Sequence, residues 1–345
     1  MLKSRLLLAA CAFTLVGISS ATAVLPTPAF VDAKNGSNGN AGTGCPVTAP
    51  CADLNTALSV LGTGVNVVVI VGGGIFGPVV LNQNVDIIGT GVSDYANILA
   101  DATAQVGCIG HLPAACGLSN NGYAVEFIGA AQDALTITHL AMRAPGSSGA
   151  ALKFSSGVKL KLNDVVVTGS DTSPALQLYP SSPSLIEMYV ANSQFSGGSG
   201  ANAGAVEVKP SGNTSVALHF NHDQVVTASY GIRTDGSGIT AGNFVSTTIS
   251  ESQFFGFGNA AVNAFSTAGT GTVRAVFDST RILGAATALK ANGPLSSVVL
   301  TNNTISGNTL GVQVLNGATV FTSGNNTIKN NTTNVSGTLT AAPMQ

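Results

Sequence analysis

The sequence predicts an all-β protein: a single-stranded, right-handed parallel β-helix, which is a solenoid, with a short N-terminal capping helix. One observation is an apolar residue that recurs every 23 to 30 positions between Met142 and Ile328, each time at the end of a short alternating strand. Another is the composition, with 42 glycines and only 8% charged residues. Such a composition fits either a disordered chain or an all-β solenoid, and the regular apolar spacing decides for the solenoid.

The repeating unit is an alternating strand, a turn rich in Asn, Asp or Ser, and an apolar anchor. The anchors are Met142, Val167, Phe195, Val225, Phe254, Ile282, Ile305 and Ile328. A leucine-rich repeat has tighter spacing, and a propeller blade needs about forty residues. Each turn of a solenoid has unpaired backbone groups on both edges, so we expect the turns to stack about 4.8 Å apart.

Asparagines recur in the predicted turns, at Asn192, Asn221, Asn302 and Asn326. Asparagine tolerates left-handed backbone geometry, and stacked asparagines can form a hydrogen-bonded ladder. We therefore expect these residues to have structural roles.

The first residues have the order of a secretory signal peptide. Lys3 and Arg5 precede an apolar run from Leu6 to Ile18, and Ala21-Thr22-Ala23 forms a cleavage site. We predict a signal peptide over residues 1–23 and a secreted, periplasmic or cell-surface protein. A lipoprotein site at Cys11 is the weaker alternative, because apolar residues continue after it.

A single β-helix domain is predicted for residues 24–345, with no transmembrane segment. The N-terminal cap spans about 45–62 and contains an amphipathic helix within Cys51–Leu61, while the repeated turns span about 65–330. We expect residues 97–121 to form a loop that leaves the stack. The tail from Asn330 is expected to be a weak cap or partly disordered.

Four cysteines remain after the signal peptide, which favours two disulfides in an exported chain. The pairs closest in sequence are Cys45–Cys51 and Cys108–Cys116. Zinc is the competing interpretation, although neither pair has C-x-x-C spacing.

The charge balance argues against a nucleic-acid partner, because 13 basic residues face 15 acidic ones and form no basic stripe. The oligomeric state stays open.

Three N-terminal segments carry a resemblance to a known superfamily. They are FVDAKNGSNGNAGTGCPVTAPCADLNTAL, VVVIVGGGIFGPVVL and VDIIGTG. They resemble the N-terminal segments of secreted bacterial right-handed β-helix proteins of the pectin-lyase-like superfamily. The resemblance implies the fold and, as partner, an extracellular or cell-envelope polysaccharide. The superfamily includes lyases, polygalacturonases, esterases, epimerases, tailspikes and members without a known reaction.

The motifs of the superfamily's best-defined enzymes are missing from the chain. Polygalacturonases resemble one another in Asn-Thr-Asp, Asp-Asp, Gly-His-Gly and Arg-Ile-Lys, and none of these strings occurs. Pectate lyases have a cluster of acidic calcium ligands, and no such cluster is visible. We predict no cofactor, although the resemblance leaves calcium open. Whether the protein is an enzyme, a lyase or hydrolase of acidic glycan, also stays open.

Alternation in the strand after each anchor predicts two columns of outward side chains. The first column is Lys153, Gln177, Glu207, Arg233, Asn263, Lys290 and Gln313. The second column, two residues on, is Ser155, Tyr179, Lys209, Asp235, Phe265, Asn292 and Leu315.

Charges concentrate where the two columns meet at the centre of the chain. The candidate catalytic residues are Glu207, Lys209, Arg233 and Asp235, and the candidate substrate-binding residues are Tyr179, Gln177 and Asn263. Arginine binds carboxylates in bidentate fashion, tyrosine stacks on sugar rings, and lysine with a carboxylate supplies a base and an acid.

A structural interpretation of the same charges is favoured over a catalytic one. Glu207 faces Arg233, and Lys209 faces Asp235, as ordinary cross-strand pairs worth a few tenths of a kcal/mol. The alternative function is therefore a non-catalytic surface, adhesin-like or structural β-helix protein.

A second polar cluster contains His219, His222 and Asp223. A metal site needs three converging ligands, and the predicted bend separates His219 from His222. We therefore expect solvated turn residues here and predict no metal site.

Overall fold

The computed structural model describes residues 27–61, 66–72, 75–76, 79–89, 105–106, 123–144 and 149–342. The strands pair in parallel and join into one continuous sheet that winds along the chain. The predicted fold class, a parallel β-helix, is confirmed. The predicted signal peptide over 1–23, with Cys11, lies outside the described residues.

Two short helices and 28 strands make up the described chain. The helices are a 3₁₀ helix over Asn38–Thr43 and α1 over Leu54–Ser59. In chain order the strands are β1 Ala29–Asp32, β2 Asn66–Gly72, β3 Ile75–Phe76, β4 Val79–Leu81, β5 Val85–Gly89, β6 Gln105–Val106, β7 Tyr123–Ile128, β8 Ala134–Arg143, β9 Ala150–Ser156, β10 Lys159–Thr168, β11 Leu176–Leu178, β12 Leu185–Ala191, β13 Gln194–Ser196, β14 Gly204–Val208, β15 Ser215–Asn221, β16 Gln224–Asp235, β17 Phe244–Ser250, β18 Gln253–Phe265, β19 Thr272–Asp278, β20 Arg281–Leu283, β21 Thr287–Asn292, β22 Ser296–Thr301, β23 Thr304–Ser306, β24 Leu310–Leu315, β25 Thr319–Thr322, β26 Thr327–Ile328, β27 Thr333–Ser336 and β28 Leu339–Ala341.

Each full turn places strand segments on three faces, and each face is a parallel stack. The first face begins β1, β2, β5, β8, β10, β12 and ends at β28. The second face runs from β3 and β6 through parts of β8 and β10 to β26. The third face runs from β4, β7, β9, β11 and β14 through parts of β16 and β18 to β27.

The corner between the first and second faces uses one left-handed residue in each of seven consecutive turns. Their φ angles lie between 50° and 58°, and the residues are His139, Asp164, Asn192, His222, Glu251, Ser279 and Asn302. One residue with positive φ reverses the side-chain direction and bends the strand without a longer loop. Asn192 and Asn302 therefore have the turn role expected from the sequence.

The predicted anchors stack in register through the core. Val167 pairs with Met142 and with Phe195, and the same register continues without a shift to Ile328. Phenylalanines fill the interior between turns, with the ring centroids of Phe127 and Phe154 separated by 5.1 Å. The repeat read from the sequence is therefore the structural repeat.

Asparagine ladders form as expected, and three of the four predicted residues, Asn192, Asn302 and Asn326, hydrogen-bond to asparagines of neighbouring turns. Asn326 is a ladder member, since its Oδ1 accepts from the backbone N–H of Asn303 at 2.8 Å. A second ladder joins Asn308 to Asn331 at another corner, at 3.0 Å. Asn221 is the last residue of β15 and is exposed, so its side chain lies outside these ladders.

The N-terminal cap has the expected helix and one of the two expected disulfides. The Asp53 side chain caps α1 by accepting from the Thr56 N–H at 2.6 Å, and Leu54 and Ala57 are buried against the first turn. Cys45 and Cys51 are bonded, with an S–S distance of 1.98 Å. Cys108 and Cys116 lie outside the described residues.

Two expectations about irregular segments have different outcomes. The tail continues the stack to Ala341, because β27 and β28 pair with β24 and β25, so the repeated turns extend beyond their predicted end near residue 330. Val335 of β27 and Leu339 of β28 are partly buried and pack on the core there. The expected loop over 97–121 lies outside the described residues except for β6, which pairs with β3 and β8. Within the described ranges, no helix is long and apolar enough to cross a membrane.

Candidate functional site

The outward side of the third face carries the predicted columns. The register pairs Lys153 with Gln177, then Glu207, Arg233, Asn263, Lys290 and Gln313 on successive strands. The column also extends one strand back to Glu126 of β7. We define the third-face patch as Tyr123, Glu126, Lys153, Tyr179, Glu207, Lys209, Tyr230, Arg233 and Asp235.

Two cross-strand ion pairs lie at the centre of the patch, where the sequence predicted them. The Nε of Arg233 is 3.1 Å from Oε1 of Glu207, and the Nζ of Lys209 is 3.7 Å from Oδ2 of Asp235. The second oxygen of Asp235's carboxylate accepts from the Ser237 N–H at 2.9 Å and from its hydroxyl at 2.6 Å. Both predicted acids are therefore held by partners.

Tyr179 is a hydrogen-bond donor to Glu207. Its hydroxyl donates to Oε2 of Glu207, the oxygen that does not face Arg233. Burial raises the pKa of Tyr179, and the neighbouring Glu207 raises this pKa further. The hydroxyl therefore stays protonated at physiological pH, so Tyr179 is a donor and not a general base.

A third ion pair extends the patch towards the N-terminus. Lys153 Nζ is 3.1 Å from Oε1 of Glu126 and 4.5 Å from the ring centroid of Tyr123. Burial lowers the pKa of Lys153, but the hydrogen bond and charge of Glu126 outweigh this effect, so the net pKa is raised. Ser155 Oγ also donates to Glu126 Oε1, at 3.4 Å.

Three patch residues were missed from the sequence: Tyr123, Glu126 and Tyr230. Tyr123 and Glu126 follow the segment interpreted as a loop, although the alternation of Val125, Glu126 and Phe127 is itself a strand signal. Tyr230 lies two residues before the inward Ile232, on the same strand as Arg233. The guanidinium carbon of Arg233 is 5.6 Å from its ring centroid, and Asn259 donates to its hydroxyl at 2.6 Å.

The patch is more enclosed than the solvated surface that alternation predicts. Glu126, Glu207 and Asp235 have exposed fractions of only 5%, 9% and 6%. Side chains on strands about 4.8 Å apart cover one another, and the long stems of lysine and arginine lie across their neighbours. The cations are the more accessible groups, with side-chain exposures of 22% for Lys153, 28% for Arg233 and 49% for Lys209.

The two predicted amide ligands lie on the same column at different depths. Gln177 is buried, at 7% exposure, between Lys153 and Glu207. Asn263 lies between Arg233 and Lys290, and its Oδ1 is buried with no hydrogen-bond partner among the described residues. The structure therefore brings the predicted substrate-binding residues onto one face.

The histidine cluster does not converge. His219 stacks on Tyr189 with 5.0 Å between ring centroids, while His222 pairs with Glu251 at the corner. Asp223 is 1% exposed, so the expectation that it is a solvated turn residue was wrong. In the part of the chain that the structure describes, no three His, Cys, Asp or Glu side chains are placed to hold a metal ion.

A cavity of about 330 Å³ lies beside the N-terminal cap, and Val80 of its lining pairs with Glu126 of the patch on the next strand of the third face. Its lining includes Asn55 and Leu58 of α1 together with Val80 and Gln83. None of the side chains that line this cavity is ionisable.

No protein-family model matches the chain, and a search of curated proteins finds no match. The residues of the third face are therefore the basis for inferring a function. The pectin-lyase-like resemblance supplies only a class of partner to test.

Proposed function

We propose that the protein is a secreted β-helix protein that binds an anionic extracellular or cell-envelope polysaccharide through the third-face patch. The observation that carries the proposal is the grouping of Lys153, Lys209 and Arg233 with three tyrosines on one face of a chain that has only 13 basic residues. Membership of the pectin-lyase-like superfamily is part of the proposal.

The chemistry of the cations suits carboxylate ligands. Arg233 contacts Glu207 through Nε, and a guanidinium has five N–H donors, more than this contact uses. Lys209 is half exposed and has three donors on a flexible stem. Both side chains can therefore contact a ligand carboxylate without giving up their carboxylate partners.

The tyrosines supply the apolar part of a sugar site. Tyr123 and Tyr230 lie under Lys153 and Arg233, so ring surface and positive charge occur together at both ends of the patch. Sugars commonly offer apolar ring faces beside hydroxyl and carboxyl groups, and tyrosine can contact both kinds of surface. Strands about 4.8 Å apart then present these groups in a row to an extended polymer.

Binding is better supported than turnover. Acid-base catalysis by two carboxyl groups needs environments that differ enough to keep one protonated and one ionised. Here Glu207 faces Arg233 and Asp235 faces Lys209. The catalytic assignment of Glu207, Lys209, Arg233 and Asp235 therefore stays a prediction, and a non-catalytic surface or adhesin-like role is the second candidate function.

The test is glycan binding by the purified chain from Val24 onward. Polygalacturonate and alginate would be compared with a neutral glucan by calorimetry and affinity electrophoresis. We expect Arg233→Met and Lys153→Met each to weaken binding to the acidic glycans at least about tenfold. Lys290→Met is the matched control, because Lys290 lies in the same column between the uncharged Asn263 and Gln313.

Three outcomes separate the alternatives. Loss of binding in the patch variants alone supports the proposed site. An equal loss in Lys290→Met means that only diffuse electrostatic attraction operates, which overturns the site. Absence of binding to every glycan overturns the function and leaves a structural protein.

Turnover is scored in the same samples. Ultraviolet absorbance reports unsaturated lyase products, and a reducing-sugar assay reports hydrolysis. Activity that Lys209→Met and Asp235→Asn both abolish would establish catalysis at the patch.

A further inference from the structure

From the turn of Asn192 onward, the residues that follow the corner between the first and second faces form an inner column of polar side chains. In the two preceding turns this position is occupied by the apolar Leu140 and Val165. We call the polar column the corner column; its members are Ser193, Asp223, Ser252, Thr280, Asn303 and Asn326. The first five have exposed fractions of 3% or less. Five of these six side chains are neutral whatever the pH, and Asp223 is the sixth.

Five of the six side chains in the corner column accept a hydrogen bond from a backbone N–H of the preceding turn. Ser193 Oγ accepts from the Val165 N–H at 3.2 Å, Asp223 Oδ1 from the Ser193 N–H at 2.8 Å, and Ser252 Oγ from the Asp223 N–H at 3.1 Å. Further along, Asn303 Oδ1 accepts from the Thr280 N–H at 3.0 Å. The acceptor satisfies a backbone donor of the preceding turn, which the sharp corner leaves outside the ladder.

Every member of the column except Asp223 also donates a hydrogen bond to a backbone carbonyl. The hydroxyls of Ser193 and Ser252 donate to the carbonyls of Ala191 and Ser250, both at 2.7 Å. The hydroxyl of Thr280 donates to the Asp278 carbonyl at 3.1 Å.

The two asparagine members of the corner column meet the same requirement with their amides. The Nδ2 of Asn303 donates to the Phe277 carbonyl at 3.0 Å, and the Nδ2 of Asn326 donates to the Leu300 carbonyl at 2.8 Å. Two hydrogen-bonding requirements of the corner, one for an acceptor and one for a donor, are therefore met together by Ser193, Ser252, Asn303 and Asn326.

Asp223 meets both requirements only when it is protonated. An ionised carboxylate accepts hydrogen bonds but has no hydrogen to donate. Its Oδ2 is buried and has no hydrogen-bond partner among the described residues. Two backbone carbonyls occupy the positions of the acceptors that the other members use. One is the carbonyl of Asn221, two residues before Asp223. The other is the carbonyl of Val190, which pairs with Phe220 in the same way that Phe277, the acceptor for Asn303, pairs with Leu300.

We propose that Asp223 is held in the folded protein as a neutral carboxylic acid that takes the place of an asparagine in the corner column. Ionisation removes the donor and places an uncompensated charge in the corner. This turn of the β-helix is therefore a pH-sensitive joint, more stable in acid than in base. Nothing in this inference depends on the proposed glycan binding.

The direction of the pH effect follows from the burial. Burial raises the pKa of Asp223 from 3.8 to about 7, and the N–H groups of Ser193 and Asn221 offset this only in part. Because the folded pKa lies above the unfolded one, this group's stabilisation is complete below about pH 4. It is lost progressively up to about pH 7 and stays lost at higher pH. Paired carboxylates have the opposite dependence.

The ionisable groups around Asp223 are few. His222 and Glu251 occupy the left-handed positions of the same turn and the next turn, and they pair at the surface with side-chain exposures of 56% and 55%. The preceding turn contributes the uncharged Asn192 and Ser193, and Asp164 lies two turns away. Histidine can change charge near neutral pH, so His222 is the group to control for.

The test compares thermal unfolding of the wild type, Asp223→Asn and His222→Gln from about pH 3.5 to about pH 8.5, a range that begins below the ordinary aspartate pKa and ends above the expected midpoint. The amide introduced by Asp223→Asn would supply an acceptor and a donor at every pH. We expect the melting temperature of Asp223→Asn to match that of the wild type at the acid end and to exceed it by at least about 3 °C at the basic end. His222→Gln should keep the pH dependence of the wild type.

A second measurement does not depend on any variant folding. The carboxyl carbon of Asp223 would be titrated by NMR in the wild-type protein, and we expect a midpoint near pH 7. A midpoint near the ordinary aspartate value of about 4 would overturn the proposal. A melting-temperature difference between Asp223→Asn and wild type that is constant across the pH range would overturn it as well.

Discussion

The Nε of Arg233 lies 3.1 Å from Oε1 of Glu207, on the strand stacked directly before it. Glu207 is nearly buried, so its charge depends on this contact more than an exposed carboxylate would. Arg233 therefore stabilises the third face through this pair and is also the cation that we propose for ligand binding.

Replacing Arg233 by Met should destabilise the fold by about 1–3 kcal/mol, because it leaves a largely buried carboxylate without its cation. Urea unfolding monitored by circular dichroism measures the change. Arg233→Met with Glu207→Gln should recover much of the loss. A double variant no more stable than Arg233→Met would show that the ion pair is not the cause.

Replacing Tyr179 by Phe removes only the hydroxyl that donates to Glu207. We expect a loss of about 1 kcal/mol in the free energy of unfolding, since the acceptor is mostly buried. Tyr189→Phe is the control, because Tyr189 is exposed on the first face and should change by a few tenths at most. Equal effects of the two substitutions would contradict the structural role of the Tyr179 hydroxyl.

Replacing Asn303 by Ala should cost about 2–4 kcal/mol. The substitution leaves the Thr280 N–H and the Phe277 carbonyl buried without their side-chain partner. Hydrogen exchange at the Thr280 amide should accelerate together with that of its turn. Thr304→Ala, on the outer side of β23, tests whether any nearby truncation has the same effect.

Removing the Cys45–Cys51 disulfide by a double serine substitution should lower the free energy of unfolding by about 2 kcal/mol. The reason is that the unfolded chain, freed of the short closed loop, gains conformational entropy. The effect should be concentrated in the cap, where the Phe30 and Asp32 N–H groups donate to the Cys45 and Cys51 carbonyls at 2.8 and 2.9 Å. Hydrogen exchange of these amides is the measurement. Unchanged exchange there would mean that the disulfide does not hold β1 in place.

The sequence was sufficient for the register of the third face. Inward pairs such as Leu176 and Leu178 alternate with polar residues, and one shifted residue would place every apolar side chain in water. That alternation alone placed Glu207 beside Arg233. It could not show that the polar side would be enclosed, because this depends on how long side chains and tyrosine rings lie over their neighbours.

Corner residues were harder to predict, for a physical reason. In N-H-D-Q, as in T-N-N-T, one residue takes the left-handed conformation and the next turns inward, and both positions accept small polar residues. The sequence pattern therefore could not separate Asn302, at the surface, from the buried Asn303. The same ambiguity made Asp223 look like a solvated turn residue.

Because the anchors from Met142 to Ile328 stack without a register shift, one complete turn could be removed and the turns on either side would still pair in the same register. Deleting one complete turn would join equivalent positions and shorten the solenoid by about 4.8 Å, leaving every column intact. Deleting a single residue inside a strand would instead exchange its inner and outer sides. Chains of this design can therefore vary in length in steps of whole turns, which extends or shortens each outward face without changing its register.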